Sequence, residues 1–222
     1  MFGTLTKQVA AVAVWATLLT GISLQAAHAG VAEDVIRIRT QWEQIKYRAP
    51  EKEQEEALEK LARESAKIKA ANASDAGAAI WHGIIEASYA GAKGGLGALG
   101  LVKSAKQSFE DALAINPNAL DGSAYTSLGS LYYQVPGWPI GFGDDKKAAE
   151  LLKKGLALNP NGVDSNFFYG DFLFRSGDYE AAERVLKKAL QAPAREGRAL
   201  ADEGRKREIN ELLAKIEKKL QR

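Results

Sequence analysis

The chain has 222 residues, no cysteine, and 30 Lys and Arg against 28 Asp and Glu, for a formal net charge of +2. A disulfide framework and the lipid-bearing cysteine of a bacterial lipoprotein are excluded by that composition. So even a charge balance supplies no basic surface, and nucleic acid is not expected as a partner.

Lys7 is the only charge among residues 1–29, an uncharged apolar run extends from Val9 to Leu24, and Ala27-His28-Ala29 has the small-x-small form that signal peptidase requires. The apolar run is about 16 residues long, short of the roughly 20 that span a bilayer as a helix, so a retained anchor is the weaker reading. The expectation is a signal peptide over 1–29, cleaved after Ala29. The mature protein would be periplasmic or secreted, with no membrane span after processing.

Val31, Val35, Ile38, Trp42 and Ile45 recur every three or four residues, which predicts a helix over 31–48 that stops before Pro50. Glu51 to Ala71 is built of strong helix formers with Leu58, Leu61, Ala62 and Ile68 in its apolar stripe, and its acidic start suits the positive end of the helix dipole. Asn72 to Gly77 reads as a turn, with Ser74 or Asp75 capping the next helix. Residues 30–78 thus form an N-terminal helix pair. No stretch alternates with period two, which argues against strands and for an all-α chain.

Three later segments end alike, in Ala112-Leu113 before Asn116-Pro117-Asn118, in Gly155-Leu156 before Asn159-Pro160-Asn161, and in Ala189-Leu190 before Pro193. Upstream of them stand Gly83, Gly129 and Gly170, followed by Ala105, Ala148 and Ala182. This pattern resembles the tetratricopeptide repeat, in which small residues let paired helices cross closely and proline closes the unit. The units are 79–118, 119–161 and 162–193. Residues 194–222, with Ile209, Leu212, Leu213, Ile216 and Leu220 at helical spacing, form the capping helix that an open stack requires. The fold expected is a short α-solenoid of tetratricopeptide-like helix pairs with a C-terminal cap.

From Gly170 to Ala182 is 12 residues, from Gly129 to Ala148 is 19, and from Gly83 to Ala105 is 22, so the first two units carry insertions, near 89–102 and 134–145. Five glycines between Gly91 and Gly100 would cost roughly 4–5 kcal/mol in a helix interior, which favours a loop there. Repeats stack in register, so both insertions should emerge on one edge. The second carries Trp138 and Phe142 between prolines and glycines, and it reads either as a partner-binding patch or as an aromatic seal on the helical stack.

Several motifs are discounted. Gly95, Gly97 and Gly100 match the glycine pattern of dinucleotide-binding folds, but no strand precedes them, and Leu101 and Val102 spoil the spacing to Lys103 of a phosphate loop. His82 with Glu86 at i+4 could act as a general base, although the chain offers no cysteine and no nucleophile-elbow serine beside them. Asp144-Asp145 lacks the spacing of a calcium loop and reads as a helix start. No catalytic residue, metal or cofactor is expected.

The resemblance implies a non-enzymatic protein- or peptide-binding adaptor or assembly factor of the cell envelope, with self-association left open. Tyr125, Tyr132, Asn166 and Tyr169 are the candidate groove residues, beside Trp138 and Phe142 on the edge. The alternative is a small-ligand-binding accessory protein. The exported helical T components of TRAP-type solute transporters are similar in size and repeat type.

Overall fold

The computed structural model describes residues 30–221, and the expected signal peptide and its cleavage after Ala29 lie outside them. α1 covers 30–48 and α2 Glu51–Ala71, with Pro50 at the junction. There follow α3 (Ala76–Lys93), α4 (Ala98–Ile115), a short 3-10 turn (Ala119–Gly122), α5 (Ser123–Gln134), α6 (Asp145–Leu158), α7 (Val163–Arg175), α8 (Tyr179–Leu190) and α9 (Ala199–Leu220). The fold is an all-α helical repeat solenoid. No helix among the described residues is long and apolar enough to cross a membrane.

Caps set several of the boundaries. Asp75 accepts from the amide of Ala78, Asp144 from those of Lys146 and Lys147, and Asp178 from that of Ala181, so three helix starts carry a carboxylate on their unpaired donors. Asn116 and Asn159 close α4 and α6 one residue before their prolines, which cannot continue a helix.

The pairs α3/α4, α5/α6 and α7/α8 share one crossing geometry, fixed by glycine on the first helix. A Cβ on Gly83 would lie 2.6 Å from Phe109, one on Gly129 2.8 Å from Leu152, and one on Gly170 2.7 Å from Leu186. Ala105, Ala148 and Ala182 stand one turn earlier on the second helices, and all three are fully buried. Only glycine leaves room for the large side chain opposite, and that side chain fills the seam between paired helices.

The core is divided. One apolar cluster joins α1 (Ile38, Trp42) to α2 and α3, a second runs from α4 (Phe109) through α5 and α6 to Phe172 on α7, and a third joins α7 and α8 to Ile209, Leu212 and Ile216 of α9. A smaller cluster of Ala76, Ala79, Ile80, Ala112 and Ala124 bonds α3 to α4 and α5.

The first insertion differs from its expected form. Instead of a loop over 89–102, α3 and α4 are both 18 residues long and only 94–97 stand outside helix. Gly91 falls in the last turn of α3 and Gly100 in the first turn of α4, where a glycine weakens fewer hydrogen bonds than in a helix interior. Gly94 and Gly95 adopt φ of +64° and +58°, which reverse the chain. The second insertion, 135–144, is a loop. Its turns close on themselves, with Gly143 N–H donating to Pro136 O at 3.0 Å and Asp144 N–H to Tyr132 O at 2.8 Å.

Candidate functional site

The first helices of the pairs present one face to a cleft of about 1430 Å³. In each unit the residues two before, one after and five after the crossing glycine line it: Trp81, Ile84 and Ser88 on α3, Ser127, Ser130 and Gln134 on α5, and Phe168, Asp171 and Arg175 on α7. These positions recur because three and four residues bring a helix back to the same face. The lining therefore changes along the cleft, from apolar through small and polar to aromatic and charged.

Arg39, Trp42 and Lys46 of α1 close one side, and Arg195, Arg198 and Arg205 from the last connector and α9 close the other. The two sides touch. Arg198 Nε donates to Glu43 Oε1 at 2.7 Å and its guanidinium lies 5.3 Å from the centre of the Trp81 ring. Arg205 Nε and Arg195 Nη1 both donate to the Asp164 carboxylate, at 2.8 and 2.6 Å, and Arg195 Nε to Asp202 at 2.6 Å. Arg205 also stacks over Phe167 at 4.2 Å. Planar guanidinium groups suit such sites because they bond in their plane and stack on their faces.

This network shifts its members. Burial alone would raise the Asp164 carboxyl, but Arg205, Arg195 and Arg198 outweigh it and hold it well below the usual carboxylate range. Burial would lower Arg205, and the neighbouring Tyr47, Asp164 and Glu208 hold it above its ordinary value instead. Burial pushes the Tyr47 phenol up to about 12 against the pull of Arg205. Arg39 is lowered, by burial and then by Arg198, and its buried Nε has no hydrogen-bond partner among the described residues. An orphaned guanidinium N–H beside a cleft is a donor awaiting an acceptor.

None of the six residues singled out from the sequence lines this cleft. Asn166 is 1% exposed and spends its amide on the carbonyls of Pro160 and Gly162, at 3.0 and 2.8 Å. Tyr132 is buried, with Phe142 edge-on to it at 5.4 Å. Tyr169 stacks on Phe172, and half-buried Tyr125 lies beneath Lys154. Trp138 is 90% exposed at the tip of the 135–144 loop. The two readings of that loop thus divide between its aromatics, Phe142 sealing the stack and Trp138 projecting from it. Phe167, Phe168, Asp171 and Arg175 were missed, although counting from Gly170 would have found three of them.

His82 and Glu86 do meet, Nε2 to Oε2 at 3.5 Å, and Ser65 Oγ lies 2.8 Å from His82 Nδ1. The arrangement looks like a proton relay but is enclosed by α2, α3 and α4, with Ser65 fully buried and donating to Ala62 O. Burial, then Lys69, lowers His82 to about 4, and burial raises Glu86. With the Ser65 proton given to Ala62 O, the neutral imidazole donates its Nδ1–H to Ser65 Oγ, which is a structural bond rather than the activation of a nucleophile.

Residues 140–216 match the tetratricopeptide repeat family, a span that takes in α6, α7, α8 and most of α9. No curated protein matches the chain. Among solved structures, the crystal structure of MamA is similar at 17% identity, covering 74% of this chain and 90% of that one with a TM-score of 0.42.

Proposed function

We propose that this chain is a non-enzymatic adaptor of the cell envelope that holds an extended segment of a partner protein in its cleft. Tetratricopeptide repeats generally mediate protein–protein interaction, and residues 140–216 match that family. The observation that carries the reading is the recurrence of the same three positions on α3, α5 and α7 as the cleft lining. Evenly recurring lining positions suit the regular backbone of an extended segment, and a volume of about 1430 Å³ exceeds the ~300–1,000 Å³ usual for small-molecule sites. Envelope residence rests on the leader-like sequence of 1–29.

Ser127 sits midway along the cleft on α5 and is only half-buried, so Ser127→Trp fills the cleft without disturbing the helix pairs. Partner proteins isolated with the unmodified chain from an envelope extract should be lost with Ser127→Trp at an unchanged melting temperature. Retention of the same partners by that variant would overturn the cleft reading. The second reading, a small-ligand accessory protein akin to a TRAP T component, draws on the contact between the two sides of the cleft, which partly encloses it. A low-molecular-weight compound released on denaturing the purified protein would favour it.

A further inference from the structure

The first and last parts of the described solenoid meet through a seam that differs from the other helix contacts among the described residues. Elsewhere neighbouring helices join through apolar side chains. The apolar face of α1 belongs to the cluster with α2 and α3, and that of α9 to the cluster with α7 and α8, and neither cluster holds residues of both α1 and α9. Between them stand the Arg198–Glu43 pair at 2.7 Å, the Lys46–Glu208 pair at 3.9 Å, and Arg198 over Trp81. One close approach is added by the Tyr47 ring, which lies against Gly204 so tightly that a Cβ there would be 2.2 Å from it.

We infer that this seam is a releasable clasp, and that the solenoid exchanges between a closed form and one in which α1, moving together with the cluster it forms with α2 and α3, swings away from α9. The argument is energetic. Parting the seam leaves both clusters whole, the apolar surface it uncovers being the Tyr47 ring against Gly204 and the Trp81 face beneath Arg198, and its ion pairs regain water that offsets part of their attraction. Arg39 adds a push, because it lies beside Arg198 and shares Glu43 with it, at 4.0 Å. Arg39, Lys46, Trp81, Arg198, Arg205 and Glu208 all line the cleft, so opening the seam widens the space in which a partner segment would lie. That consequence rests on the cleft reading, whereas the clasp itself does not.

The natural chain has no cysteine, so two introduced ones carry spin labels without background. Arg48 on α1 and Lys206 on α9 are exposed positions beside the seam. In the Arg48→Cys/Lys206→Cys chain without any partner, pulsed electron resonance should give one short distance at low salt. A longer one should grow as salt rises to about 1 M, where screening acts over about 3 Å. Glu43→Gln should raise the longer population about tenfold at low salt, and Gly204→Ala should do so without changing charge. A single distance unmoved by salt and by both substitutions would overturn the clasp. Should either substitution unfold the protein, the salt series on the otherwise unmodified labelled chain decides alone. Failure of the Ser127→Trp experiment would leave this result standing.

Discussion

Leu186 of α8 occupies the space that a side chain on Gly170 of α7 would need, with Leu186 Cγ 2.7 Å from the site of the missing Cβ. Because Leu186 is fully buried, it has nowhere to move. Gly170→Leu should overpack the pair and destabilise the protein by about 1–3 kcal/mol, lowering its thermal midpoint. A midpoint equal to that of the unmodified chain would contradict this packing.

Asn166 is a tether for the turn between α6 and α7. Its side-chain amide is the donor for both Pro160 O and Gly162 O, and truncation removes both bonds. Asn166→Ala should cost about 1–3 kcal/mol in urea unfolding with an unchanged slope. Asn166→Asp should be worse at neutral pH, since a carboxylate would face the same carbonyls. Equal stability of Asn166→Asp and the unmodified chain would refute the tether.

His82 makes stability fall in mild acid. Its native value near 4 lies below the 6.5 of a free imidazole, so between those values the unfolded chain holds a proton that the native chain does not. Stability is therefore full above about pH 6.5 and drops as pH falls toward 4, by at most about 3 kcal/mol. Glu86, raised by burial, acts in the opposite sense, and Lys69 adds to the penalty on a charged His82. Asp164 enters only below the normal carboxylate range, because its native carboxyl is depressed. His82→Gln should flatten the unfolding free energy between pH 6.5 and 4.5, and an unaltered slope would assign it to other groups.

Trp138 separates a structural from a binding role. At 90% exposure it contributes little packing, so Trp138→Ala should leave stability within about 0.5 kcal/mol. If the loop edge contacts the partner, capture weakens by about 2 kcal/mol or more. Capture equal to that of the unmodified chain would confine recognition to the cleft.

The helices were legible because each is written in a local period: Ile38 and Trp42 on α1, Leu58, Leu61 and Ala62 on α2, and the glycine–alanine ladder on the three pairs. Asp75 and Asp144 announced their helix starts for the same reason. The cleft face was harder to read. Tyr169 and Phe168 are adjacent and both aromatic, so composition could not say which turns inward, and only the count from Gly170 distinguishes them. The seam was not legible at all. Glu43 and Arg198 are 155 positions apart, and their meeting depends on small rotations accumulated over several helix pairs, which leave no mark in any one period.

Ile84 lies against three of the four apolar clusters, those built on α1–α3, on α4–α7, and on the alanines between α3 and α5. Local opening in such a protein follows contact density, so amide exchange should be slowest along α3 and faster toward both ends. In a linear stack the ends fray first and expose the next unit in turn. Here the Arg198–Glu43 pair ties those two ends to each other, so that fraying of either must first undo a contact with its opposite, and the lifetime of the whole stack becomes sensitive to ionic strength.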